Sequence, residues 1–269
     1  MKSSITAQVE RVTPALAAAW LKENTSNRPV SDSHVRFLSG VLRRDEYRLN
    51  GEPIIFNGNG ELLDGQHRLK ACVETGATFE SLIVRGVPKD AFATMGECKP
   101  RTFGDKAALS GEKFGNQLGA AIRAAFVVIE GRGLTTYSHQ QLFSMLERHP
   151  RLRYWNLRYG SSMPIRKVAK SMVIAVLALG EELHGTEKAE EFFDLLSSGA
   201  NMDEHHPVLV LRNRLLENRI TKVSRLTQTT ELAFLIKAWN AFVTGKATKI
   251  IRYRHDDEPF PNMVIRSKS

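Results

Sequence analysis

The stretch Leu62-Leu63-Asp64-Gly65-Gln66-His67-Arg68-Leu69-Lys70-Ala71 decides how the first half of this chain is read. It follows an apolar run, Pro53-Ile54-Ile55-Phe56, and four turn-forming residues, Asn57-Gly58-Asn59-Gly60. Asn-Gly between apolar segments signals a hairpin, because these residues accept the positive φ that a tight turn between twisted strands needs. The pattern therefore predicts a strand over 53–56, a tight turn, a short strand over 61–64 and a helix over 66–74. Leu69, Ala71, Cys72 and Val73 supply the buried side of that helix, and Thr75-Gly76 ends it. Asp64, Gln66, His67 and Arg68 then crowd a strand-to-helix junction.

The amides that open a helix lack intrahelical acceptors and carry partial positive charge, so such a junction favours an anion. Gly65 would let a phosphate approach the backbone, and Arg68 could grip it with two charged hydrogen bonds. The same residues also read as an ordinary helix start, with Asp64 as the cap and a solvated first turn behind it.

Working outward from that junction, residues 8–12 read as a short strand, and Thr13 caps a helix that has Pro14 at its first position. Residues 25–29 form a turn, and a second helix is expected over 32–44, with Val35, Leu38, Val41 and Leu42 on one face. Beyond Gly76, residues 80–86 read as another strand, and 89–94 as a helical turn. Residues 96–105 are polar, basic and bounded by glycines, which suits either a functional loop or a solvated linker. From 113 onward the periodicity is helical, and about six helices are expected: 116–130, 140–148, one opened by Pro164, 187–196, 208–219, and a last one started by Thr229 or Thr230.

Composition bounds the function classes. The 269 residues are 42% hydrophobic and 25% charged, enough for one large or two small domains with a real core. No apolar run approaches the roughly 20 residues of a membrane helix, and residues 1–6 lack the apolar core of a signal peptide. Cys72 and Cys98 make neither a disulfide framework nor a metal quartet, so a reducing cytoplasm is the expected setting. The adjacent pair His205-His206 reads as a polar loop before a helix rather than a metal site. The formal charge of +9 points to a polyanionic partner, with nucleic acid the usual one. That charge is clustered. Arg148, Arg151, Arg153, Arg158, Arg166, Lys167 and Lys170 fall in one stretch, and Lys246, Lys249, Arg252 and Arg254 in another. Arg151, Arg153, Arg166, Lys167, Lys249, Arg252 and Arg254 are the candidate DNA contacts.

Asp64-Gly65-Gln66-His67-Arg68-Leu69-Lys70-Ala71 resembles the signature of the ParB/sulfiredoxin superfamily, in which a Gly-x-x-Arg turn after a strand binds nucleotide phosphates. Gln66 stands where sulfiredoxins have their catalytic Cys, which argues against sulfinic-acid reduction. Gln66 and His67 replace the Glu and first Arg that ParB partition proteins usually carry. Free-serine kinases read Asp-Gly-His-His-Arg, and this chain differs from them only at Gln66.

The resemblance implies an α+β architecture. An N-terminal ParB/sulfiredoxin-like α/β domain (5–108) would precede an all-helical domain (113–245) and a basic tail (246–269). It implies a nucleoside triphosphate, CTP or ATP, with Mg²⁺ as cofactors, DNA as partner, a homodimer as candidate assembly, and a phage or plasmid origin. Gly65, Gln66, His67 and Arg68 would hold the phosphates, with Asn27 and Arg28 bordering the pocket. Lys99, Arg101 and Thr102 match a basic segment of mobile-element relatives that would approach the same phosphates. Asp64 would organise Mg²⁺ or orient an attacking water, and His67 would assist it. The alternative is a Mg²⁺-dependent phosphotransferase resembling the free-serine kinases, with Asp64 as general base on a hydroxyl acceptor. A nuclease ranks last, since the several carboxylates of a two-metal site are missing.

Overall fold

Thr13 and Pro14 open the first helix as their chemistry dictates. The Thr13 hydroxyl accepts the Leu16 amide, and proline fills the first position, where no amide is needed. Such local agreement runs through a computed structural model that describes residues 5–25, 27–95, 101–131, 135–161, 169–220 and 227–265. It divides into two units, Met1–Pro100 and Arg101–Ser269. Its described residues form a helix-rich α+β chain with one four-stranded mixed sheet.

In the first unit the order is β1 (Thr6–Val12), α1 (Pro14–Lys22), α2 (Asp32–Arg43), β2 (Pro53–Asn57), β3 (Leu62–Asp64), α3 (Gln66–Thr75) and β4 (Phe79–Val87). A 3-10 turn, Lys89–Thr94, follows. The sheet runs β1-β4-β2-β3, with β2 parallel to β4 and the other pairs antiparallel. The β2–β3 hairpin closes on Asn57, whose side-chain oxygen accepts the amides of Asn59 and Glu61, both at 2.9 Å. Val12, Ile54, Phe56, Leu62, Leu69, Phe79 and Ile83 form the core, each large side chain contributing about 1.5–3 kcal/mol by leaving water. Cys72 sits in that core, and burial pushes its thiol up to about 11, so it is no nucleophile at neutral pH.

The second unit contains α4 (Phe103–Leu109), α5 (Gly115–Glu130), α6 (His139–Arg148), α7 (Arg151–Ser161), α8 (Lys170–His184), α9 (Thr186–Ser198), α10 (Pro207–Ile220) and α11 (Gln228–Val243). α8 is buried from Met172 through Glu181, as befits a helix apolar on all sides, and packs against α5, α7, α9 and α11.

Among its described residues the second unit has eight helices, one of them ahead of residue 113, against about six expected from 113 onward. α4 lies partly in what reads as a polar loop, where Thr102 and Asp105 form a reciprocal capping box. α7 is masked in the sequence by its arginines, since only Leu152, Trp155 and Tyr159 mark its buried stripe. The segment opened by Pro164 begins outside the described residues; its helix starts at Lys170. α9, expected over 187–196, begins one residue earlier, at Thr186. Gly185 is its N-cap, and the Thr186 hydroxyl donates to Glu181.

Part of the basic tail packs on the helical core as a strap over 246–265. Ile251 is buried in the helical core, with Tyr253, Phe260 and Met263 against it. Asn240 brackets the strap, donating to the Asn262 carbonyl at 2.8 Å and accepting the Val264 amide at 2.9 Å.

Candidate functional site

Gly65 is the pivot of the β3–α3 junction. Its φ of +106° lies in the region that only glycine adopts freely, and a Cβ there would stand 2.8 Å from Ile54 Cγ1. The packing of β2 therefore requires glycine whether or not a phosphate is bound. No side chain caps α3. Asp64 Oδ1 instead accepts the Gly65 amide at 2.7 Å, leaving the amides of Gln66, His67 and Arg68 without an acceptor among the described residues. These three orphan donors are the anion-attracting end of the helix.

The side chains of that turn have other work. The Arg68 guanidinium is only 12% exposed, and its Nη1 and Nη2 donate to the carbonyls of Glu52 and Pro53 at 2.7 and 2.6 Å. Its Nη2 lies 3.6 Å from Asp64 Oδ2. Arg68 thus fastens the start of β2 to α3. Gln66 is buried; it accepts from Asn24 Nδ2 at 3.0 Å and donates to the Arg28 carbonyl at 3.0 Å. Asn27 donates to Asn24 at 2.6 Å and to the Leu62 carbonyl at 2.7 Å. Gln66 and Asn27 together pin the segment before α2 onto β3 and α3.

His67 completes this clamp. Its Nε2 accepts the Ser31 amide at 3.1 Å, so that nitrogen carries no proton and the ring is the neutral Nδ1–H tautomer. Ser31 is in turn the N-cap of α2. His34, in the first turn of α2, meets His67 edge-on with ring centroids 5.1 Å apart. Burial, then the charges of His34, Arg28 and Lys70, hold the His67 imidazole below its ordinary value, against a weaker opposite pull from Asp64. Burial and Arg28 depress His34 in the same way. Arg28 itself is exposed, and among the described residues its backbone carbonyl accepts from Gln66.

The arrangement joins three unpaired amides to an exposed arginine and two imidazoles. The Asp64 side chain is 60% exposed. No cluster of three or more His, Cys, Asp or Glu suited to a metal occurs among the described residues. Asp64 could offer one carboxylate to a Mg²⁺ carried by phosphates, which fits the hydrated, sparsely ligated habit of that ion. His34, Ser31 and Asn24 were missed from sequence; the one signal was Ser31, three residues ahead of His34 as a helix cap would be.

The remaining expected residues lie in the second unit or outside the described residues. Arg101 and Thr102 are exposed, Thr102 as the cap of α4; Lys99, Arg166 and Lys167 lie outside the described residues. Arg153 is bound by Glu112 and Glu147 at 2.6 and 2.7 Å. Arg151 pairs with Glu181 and covers the Tyr154 ring at 4.1 Å, and Arg158 pairs with Glu190. These α7 arginines are largely neutralised. Lys249 and Arg252 are exposed on the strap, and Arg254 reaches Asp257 at 3.2 Å. No helix among the described residues is long and apolar enough to cross a membrane.

No family model, curated protein or solved structure matches this chain.

Proposed function

We propose that this chain binds a nucleoside triphosphate, CTP or ATP, at the first turn of α3, and that it associates with DNA as the ParB-like resemblance implies. One observation carries the reading: the amides of Gln66, His67 and Arg68 lie unpaired at a helix start whose neighbours Arg28, His34, His67 and Lys70 outnumber the one carboxylate there, Asp64. The phosphates would sit on the amides, with Arg28 rather than Arg68 as the guanidinium free to meet them. Asp64, beside the same turn, is the candidate for orienting a water or a hydroxyl. The DNA half of the reading draws support from Lys249 and Arg252 on the strap and from the net charge of +9.

A kinase-like phosphotransferase is the second reading. It is favoured by the carboxylates that neutralise Arg151, Arg153 and Arg158, which remove one block of expected DNA contacts. Titrating CTP and ATP with Mg²⁺, with and without duplex DNA, separates the two. Saturable nucleotide binding that alters DNA affinity supports the first reading. Nucleotide binding with no DNA association at physiological salt supports the second, and absence of any nucleotide binding overturns both.

A further inference from the structure

We propose that the cavity between α5, α8 and α11 binds a small organic acid with an apolar body, its carboxylate on Arg123 and its hydrocarbon on the cavity floor. The cavity lies wholly in the second unit, so the inference is independent of the α3 turn. Ala124, Val127, Met172 and Leu232 are buried and make the floor. Arg123, Ser171 and Thr229 are half-buried in the wall, and Ala120 and Gln228 are exposed at the rim. The volume is about 120 Å³. An engineered apolar cavity of about 150 Å³ takes up benzene, so one ring or a branched chain of about five or six carbons fills this space. Space among buried side chains forfeits dispersion contacts, which such a body restores.

Arg123 supplies the charge. Its Nη1 donates at 3.0 Å to the Gly119 carbonyl of its own helix, and no carboxylate pairs with it among the described residues. The arginines of α7 are matched by Glu181, Glu112 and Glu190. The charged neighbourhood of Arg123 is instead positive, since His139 of α6 feels both Arg123 and Lys106 of α4. Asp203 stands in the wall of the cavity beside α10, and Glu187 in that of the cavity beside the strap. Among the described residues no carboxylate lines this one. A half-buried guanidinium in neutral and positive surroundings attracts an anion, and a carboxylate meets it with two parallel hydrogen bonds. An inorganic anion would leave the floor empty, and a hydrocarbon would leave the cation unpaired. An acid with an apolar body satisfies both.

Titration of the full chain with benzoate and with benzyl alcohol, followed by the methyl NMR signals of Val127, Met172 and Leu232, tests the assignment. Benzoate should shift those signals saturably, with a Kd of about 1 mM or tighter, the range open to a ligand of its size. Benzyl alcohol has the same ring and no charge, and should bind about tenfold more weakly. Arg123→Gln should remove that preference, benzoate losing about tenfold or more while benzyl alcohol is unchanged. Ala120→Leu, a change at the exposed rim, should weaken both. Equal affinity of the wild-type chain for the two probes overturns the acid assignment, as does a preference that survives Arg123→Gln. Absence of saturable shifts at the three methyl-bearing residues with benzoate overturns the site, and so do affinities that Ala120→Leu leaves unchanged. Should Arg123→Gln not fold, the two probes on the wild-type chain decide alone.

Discussion

Two arginines of the first unit carry the same charge and do different things. Arg68, inside the signature turn, is nearly buried and holds the carbonyls of Glu52 and Pro53. Arg28, in the segment ahead of α2, accepts from Gln66 through its backbone carbonyl and keeps an exposed guanidinium beside His34 and His67. The most motif-like side chains of this turn build the scaffold, so the proposed phosphate contacts fall to backbone amides and to Arg28 and His34. A similar division separates α7, whose arginines are matched by carboxylates, from the strap, where Lys249 and Arg252 face solvent.

The largest effect should come from separating those two arginines. Arg68→Ala removes two charged hydrogen bonds from a nearly buried site and should destabilise the first unit by about 3 kcal/mol in denaturant unfolding. Arg28→Ala should leave stability within about 0.5 kcal/mol, as exposed substitutions do, yet weaken triphosphate binding by about tenfold or more. Equal loss of stability in both variants would erase the distinction. Next in size is Gly65→Ala, where positive φ and a 2.8 Å approach to Ile54 act together; about 2 kcal/mol of destabilisation is expected even without ligand. An unchanged unfolding midpoint would show that the glycine serves the ligand rather than the packing.

The second-unit contrast is tested by salt. Replacing Lys249 and Arg252 by Glu should flatten the dependence of log DNA affinity on log salt by about 1.8, two phosphate contacts' worth, whereas Arg153→Gln should lower stability and leave the slope alone. A slope that follows Arg153 instead would move the DNA surface to α7.

The smallest effect is on stability against pH. His34, His67 and His139 are all held below their ordinary value of 6.5, so the unfolded chain binds more protons than the folded one just below that pH. Their contribution is present above about pH 6.5 and is lost as pH falls through the folded values. Urea midpoints should therefore drop on acidification, and less so in His67→Gln. A midpoint that rose from pH 7 to 5.5 would contradict the neutral clamp.

Much of the fold is legible because its signals are local. The Asn57 hairpin, the Thr13 and Ser138 caps and the glycine ending α3 all act within a few residues. The strand–glycine–helix junction at Gly65 was equally plain. The roles within it were not. Gln66 meets Asn24 across 42 residues and His67 meets Ser31 across 36, and no short-range pattern encodes such pairings. The partners of Arg68 are hidden for the same reason, because its acceptors are backbone carbonyls, which any residue supplies. The strap was hidden by its charges, and only Ile251, Tyr253, Phe260 and Met263 anchor it.

The central claim is that the unpaired amides opening α3 hold phosphate, with the start of α2 as their partner. Backbone amide NMR of the full chain, titrated with CTP and with inorganic tripolyphosphate, tests it most directly. Saturable shifts centred on residues 65–68 and 28–34, alike for both ligands, are the expected result. Saturable binding whose shifts lie elsewhere, or spectra that do not change at either ligand's saturation of a control protein, would contradict it.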